Sequence, residues 1–235
     1  MKKLFKIVAG LLAVLVIGGG GLLGYLGYVR AEELESQMPL SEKVAQTEAS
    51  ADFTPYDELP VMLVKATVSI EDRRFYDHEG IDYIGLVRAL ASQIFPDWLV
   101  RSGGSTIEQQ VIKNFYGLFD TTLPDKVAEF ILADRLYDEV ASKDRIFALY
   151  VNIINYGDDY TGITEASWGY FGRPPLALTG GECTLLAGIP NSPSNFQLSD
   201  HFENARLRQQ LVLQAMVKEG YITEGEAEAL YEENS

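Results

Sequence analysis

From Ile7 to Val29 the chain runs for 23 positions without a charged residue. A helix needs about 20 apolar residues to cross a hydrocarbon core of about 30 Å, so this run is long enough to span a membrane. Lys2, Lys3 and Lys6 precede it, and Glu32, Glu33 and Glu35 follow it. That asymmetry places the N-terminus in the cytoplasm and everything after Arg30 outside. A cleaved signal peptide would usually carry a shorter apolar core ending in a small-residue cleavage site, and none lies near Val29. Residues 1–30 are therefore expected to form a cytoplasmic tip and one uncleaved transmembrane helix. Ala31 to Asp52 is polar, small and rich in glutamate, and reads as a stalk. Residues 53–235 remain for a folded domain, which is enough chain for a real core.

Charge narrows the partners. The net charge is −15, whereas a nucleic-acid surface wants a basic face, so nucleic acid is excluded as a partner. Without the three N-terminal lysines, 16 basic residues face 34 acidic ones. Charge will not draw the domain to an anionic membrane, and the anchor has to hold it there. Cys183 is the single cysteine. It rules out an internal disulfide, makes a zinc site a poor fit and, within an apolar run, reads as a buried inert thiol.

Apolar spacing predicts helices throughout, with no sustained strand alternation. Pro60 fits a first turn before Val61, Val64, Val68 and Ile70. Asp82 can cap a helix to about Phe95. Further helices are expected over residues 106–118 and from Pro124 to Val140. Ser142 is expected to cap the next, which carries Ile146, Leu149, Tyr150 and Ile153. Shorter helices fit 163–171, 182–187, 205–218 and 224–231.

The chemistry-bearing stretch is Gly103-Gly104-Ser105-Thr106-Ile107-Glu108-Gln109-Gln110 with Lys113 and Asn114. A glycine loop feeding a helix presents free N–H groups and the positive end of a dipole, which suits an anion. Ser105 is expected at the N-cap with Glu108 completing a capping box. Thr106, Gln110 and Lys113 would then share one face, a hydroxyl, an amide and an ammonium fit for a phosphate joined to a sugar. An ordinary capped surface helix is the plain alternative. Glu71, Phe75 and His78 are four and three apart, so one helical turn would align them. A carboxylate so placed is a candidate general base, and a salt-bridged helix end with Arg73 and Arg74 is the alternative. Lys126 and Glu129 read as an exposed i,i+3 pair or as the second carboxylate that glycosyl chemistry often needs. Asn152, inside an apolar helix with Tyr150, is expected to tie two segments together.

The ordered set resembles the peptidoglycan glycosyltransferase family. It comprises Glu71 to Gly80, the Gly-Gly-Ser-Thr loop through Asn114, Lys126 with Glu129, Ser142 to Asn152, and Tyr170-Phe171-Gly172-Arg173. This is the domain of monofunctional transglycosylases and of the front of bifunctional penicillin-binding proteins. The resemblance covers about residues 53–230. It implies an all-α, lysozyme-like domain outside the bacterial cytoplasmic membrane. The implied substrate is lipid II, with the growing glycan chain as donor, and other cell-wall synthesis proteins are the implied partners. Glu71 matches the general base, which takes the proton of the acceptor 4-hydroxyl before inverting attack and loss of undecaprenyl pyrophosphate. Glu129 matches a second glutamate that assists the leaving group directly or through a divalent cation, Mg or Mn, with Glu129 as its candidate ligand. Gly104, Ser105, Thr106, Gln110, Lys113 and Asn114 match substrate-binding positions. So do Lys126, which would grip pyrophosphate, and Asp72, Phe75, His78, Tyr150 and Asn152.

Two positions depart from the family pattern. Asp125 stands where an arginine usually does, and is expected either to weaken the pyrophosphate grip or to cap the helix opening at Pro124. Glu108 stands in place of a small hydroxyl residue. A non-catalytic scaffold and a lysozyme-like hydrolase are the competing functional classes. The hydrolase would have no use for a phosphate cradle or an anchor.

Overall fold

The computed structural model describes residues 2–94, 104–119 and 122–233, and the side chains of these except residues 2–17, 89–90 and 92–94. Among the described residues the chain is predominantly helical and holds only isolated β-bridges, Glu79 with Ile81 and Asn155 with Thr161. The helices are α1 (Lys2–Gln37), α2 (Leu40–Glu48), α3 (Val61–Glu71), α4 (Tyr83–Ile94), α5 (Ile107–Tyr116) and α6 (Leu123–Val140). They continue with α7 (Lys143–Ile153), α8 (Ile163–Phe171), α9 (Gly180–Gly188), α10 (Pro193–Phe196), α11 (Phe202–Lys218) and α12 (Glu224–Glu232).

Helix α7 is the hub. Ile146, Phe147, Ala148, Leu149, Tyr150 and Val151 are all buried, so this helix is apolar nearly all round, as a helix enclosed on every side must be. It packs against α2, α5, α6 and α8. Ser142 caps it, its side chain accepting the Arg145 N–H, as expected. A second, smaller cluster of Ala66, Ala187, Val212 and Met216 joins α3, α9 and α11. Cys183 is buried on α9, and burial pushes its thiol up to about 12, which keeps it inert. Asn152 ties residue 54 to α7: its Oδ1 accepts the Thr54 N–H, and its Nδ2 donates to the Thr54 and Ala148 carbonyls.

Residues 31–52, read from sequence as a stalk, are instead helical and packed. Ala31 and Leu34 on α1 and Leu40 and Val44 on α2 all join the main core. The polar glutamates that suggested a stalk serve as ion-pair partners: Arg135 on α6 pairs with Glu32 and Glu35, Arg30 with Asp125, and Arg145 with Glu48. Helix α1 lies along α6. It comes so close at Gly27 that a Cβ there would sit 2.3 Å from Val127 Cγ1. The expected membrane span falls within α1, but the side chains of its residues 7–17 lie outside the described residues. Among the described residues no helix is long and apolar enough to cross a membrane.

Candidate active site

The glycine loop delivers its helix one residue later than expected. Thr106, not Ser105, is the N-cap of α5; its hydroxyl accepts the Gln109 N–H while the Gln109 side chain accepts the Thr106 N–H. The capping partner is therefore Gln109 and not Glu108, because the box counts three residues from the true cap. Thr106 Oγ1 also donates to the Gly80 carbonyl. Gly80 has φ +76°, and a Cβ on it would meet the Ala133 carbonyl at 2.8 Å. Only glycine fits this crossing of the loop over α6. Gly103 lies outside the described residues.

Helix α3 ends at Glu71, so Glu71, Phe75 and His78 do not share one helical turn. Asp72 leaves the helix with φ −151°, and a separate 3-10 turn covers Phe75–Asp77. The cause is the Asp72 carboxylate: its Oδ2 accepts the Ile107 N–H at 3.1 Å and lies 3.0 Å from His78 Nε2. Phe75 and His78 are thereby turned into the interior. The anion at the N-terminus of α5 is thus the protein's own Asp72, which takes the place the sequence reading reserved for a ligand phosphate.

A cavity of about 830 Å³ opens between α3, α5, α6 and α11. Glu71, Asp72, Gly104, Ser105, Thr106, Gln110, Lys113 and Glu129 line it. The structure thus gathers these eight sequence candidates from three separate motifs. Lys126 reaches the same place through its neighbours, its ammonium donating to Ser105 Oγ at 3.1 Å and to Glu129 Oε1. Phe75, His78, Asn114, Tyr150 and Asn152 do not line the cavity. Asn114 turns back onto the Gln110 carbonyl. Tyr150 is fully buried behind Glu71, and burial drives its hydroxyl far above the ordinary phenol range.

Two of the carboxylates lining this cavity, Glu71 and Glu129, each have their own setting. Glu71 Oε2 accepts from Gln110 Nε2 at 3.0 Å, and Oε1 is buried without a hydrogen bond, 3.6 Å from Arg208 Nη2. Burial raises the pKa of Glu71 above the usual carboxylate range, against the downward pull of Gln110, Arg208 and Lys113. Glu129 is 2% exposed and is likewise raised by burial, against Lys126 and then Lys113. Lys113 pulls on both carboxylates and is the cation the two share. A carboxyl of raised pKa suits proton transfer, and the lysines beside it suit a departing anion.

The Lys126 ammonium occupies Oε1 of Glu129, so a divalent cation at that oxygen would have to displace the ion pair. Asp125 does not face the cavity. It is the third residue of the capping box opened by Thr122, and its other oxygen accepts from Arg30 Nε at 2.8 Å. Capping, the second of the two expectations for Asp125, is what the geometry bears out.

Arg208 and Lys143 escaped the sequence reading. Arg208 sits in a helix whose pattern reads as amphipathic, and nothing in its spacing points to Glu71, 137 positions upstream. Gly188 is the one local trace, since a Cβ there would press on Arg208 Cγ at 2.8 Å.

The comparisons agree with this geometry. The Transglycosylase family model matches residues 37–217. A protein of Cupriavidus necator named as a transglycosylase is 38% identical over 226 residues, covering 96% of this chain and 95% of its own length. Penicillin-binding protein 1A of Neisseria flavescens is 35% identical over 239 aligned positions, and that of Escherichia coli 32% identical over 237. The chain spans only 30% and 27% of those two longer proteins. With matching motifs now gathered at one cavity, the chain belongs to the peptidoglycan glycosyltransferase family, the transglycosylases.

Proposed function

We propose that this chain polymerises lipid II into β-1,4-linked glycan strands and releases undecaprenyl pyrophosphate. The observation that carries the reading is Glu71. It is a buried carboxylate of raised pKa on the cavity wall, with one oxygen held by Gln110 and the other free of hydrogen bonds. The Glu71 carboxylate takes the proton of the acceptor 4-hydroxyl. That hydroxyl oxygen attacks the anomeric carbon of the donor from the face opposite the pyrophosphate, and the anomeric C–O bond breaks with inversion. Lys113 and Lys126 neutralise the charge that collects on the leaving phosphates, and Ser105 holds Lys126 toward it. Glu129 keeps the Lys126 ammonium in place through their part-buried pair.

The uncharged run Ile7–Val29 supports a single-pass anchor in the bacterial cytoplasmic membrane, with the N-terminus inside and the cavity outside. The substrate's lipid would hold it in the same bilayer, which raises its local concentration. The deciding experiment is incubation of the purified full chain with lipid II. Polymer together with released undecaprenyl pyrophosphate supports the proposal. Cleavage of preformed glycan without polymer would transfer the chain to the hydrolases, and binding without turnover would make it a scaffold.

A further inference from the structure

Behind the cavity lies a buried charged chain that the reaction above does not use. Glu108, in the first turn of α5, is 0% exposed; its Oε1 accepts from Lys143 Nζ at 2.5 Å, and its Oε2 is buried without a hydrogen bond. Lys143 opens α7 and lies over the Phe75 ring at 4.5 Å. Its ammonium is 3.5 Å from His78 Nδ1. His78 Nε2 meets Asp72 Oδ2, which accepts the Ile107 N–H. Asp72, His78 and Glu108 offer three ligand atoms within 4.8 Å of one another, a set that would suit a cation. The Lys143 ammonium already lies among them and supplies that countercharge.

The order of donors follows from elementary chemistry. An ammonium has donors and no acceptor, so the His78 nitrogen facing it must accept, and the ring proton belongs to Nε2. Nε2–H then donates to Asp72, and Asp72 in turn holds the start of α5. One turn along that helix, Gln110 grips Glu71. We propose that Glu108 and Lys143 are positioning residues. They fix His78 in its Nε2–H form, and through Asp72 they fix the register of Gln110 against the base. A buried ion pair is weak evidence of stability, because desolvation offsets its attraction; here its effect is orientation.

The kinetic part of this inference rests on the proposed polymerisation, whereas the tautomer is a property of the folded chain alone. The test is therefore ¹⁵N spectroscopy of the imidazoles of the full chain, in which His201 is the only other histidine. It is followed by lipid II kinetics on Glu108→Gln, Lys143→Met and Lys143→Arg. The unmodified chain should show His78 with a protonated Nε2 and a bare Nδ1. Lys143→Met removes the donor that faces Nδ1, and Glu108→Gln lets that donor drift, so both should shift the His78 ring-nitrogen resonances, the first more than the second. Both should also lower kcat about tenfold to hundredfold at unchanged KM, the size expected of a small misplacement of a reacting group. Lys143→Arg keeps a donor-only group and should retain the tautomer and most of the rate. A protonated Nδ1 in the unmodified chain would overturn the proposal without any variant, should the variants fail to fold. So would an unchanged His78 spectrum in both charge-removing variants, or an unchanged kcat beside an altered one. If the unmodified chain makes no polymer, the functional reading fails while the tautomer still decides this one.

Discussion

Glu71 carries the sharpest expectations at the scale of single residues. Glu71→Gln keeps the shape and the Gln110 contact but loses the proton acceptor, so polymerisation should fall about 10²–10⁴-fold. The folded state should survive, because the change removes a buried charge. A carboxyl whose pKa is raised by folding disfavours the native state once it ionises, so the variant's melting temperature at neutral pH should match or exceed that of the unmodified chain. Turnover at the original rate would exclude Glu71 as the base. The same shift sets the pH profile. The base must be ionised to act, so the acid limb of kcat/KM should lie above the ordinary glutamate value of about 4.3. Arg208→Gln removes a cation that holds Glu71 down and should move that limb further toward alkaline pH; an unmoved limb would mean that another group titrates. Glu71 and Lys113 were legible in sequence because motif spacing marked them. Arg208 was not, because a contact 137 positions away in sequence leaves no local period. The expected alignment of His78 with Glu71 failed for a related reason: the helix ends at Glu71, and the carboxylate of Asp72 has a better partner on α5.

The elements were easier to read than their ends. Helices α3, α7 and α8 lie within a residue or two of where apolar spacing puts them, because burial of one face fixes both period and extent. The start of α5 slipped by one residue, because Ser105 and Thr106 are both good caps and only tertiary contact with Gly80 selects Thr106. Asp125 belongs to this scale. Asp125→Arg breaks the capping box of α6 and sets two arginines face to face with Arg30. It should cost about 1–2 kcal/mol of stability with little gain in kcat, as chemical denaturation beside lipid II kinetics would reveal. A large rise in rate at unchanged stability would return Asp125 to the pyrophosphate. The other end of α6 invites the opposite change. Ala141 caps it at φ 51°, in the left-handed region. Ala141→Gly should stabilise by about 0.5–1 kcal/mol in the same denaturation assay.

Seen whole, the molecule ties its N-terminal helix to its chemistry. Helix α1 meets α6 at Gly27, Arg30, Ala31 and Leu34, and α6 carries Lys126 and Glu129. Sequence reading separated anchor, stalk and domain because composition changes at residue 30, while packing takes no account of that boundary. Removing residues 1–20 should leave the melting temperature almost unchanged. Removing residues 1–37 exposes the α6 face that α1 covers and should cost about 2 kcal/mol or more. Equal stability of the two truncations would mean that the α1–α6 contact contributes nothing. A last consequence follows from Asp72 holding the head of α5. The cavity's positive charge then rests on side-chain cations at the ends of flexible stems, Lys113, Lys218, Arg73, Arg88 and Arg208, in a chain of net charge −15. Such a clamp is compliant: it can follow phosphates as they move away, at the expense of a rigid fit. Long-range repulsion and short-range grip therefore respond oppositely to ionic strength. Screening lengths shrink from about 30 Å at 0.01 M to about 10 Å at 0.1 M salt. Added salt should first speed the arrival of a diphosphate substrate and only later loosen its hold, so affinity measured across a salt series should pass through a maximum.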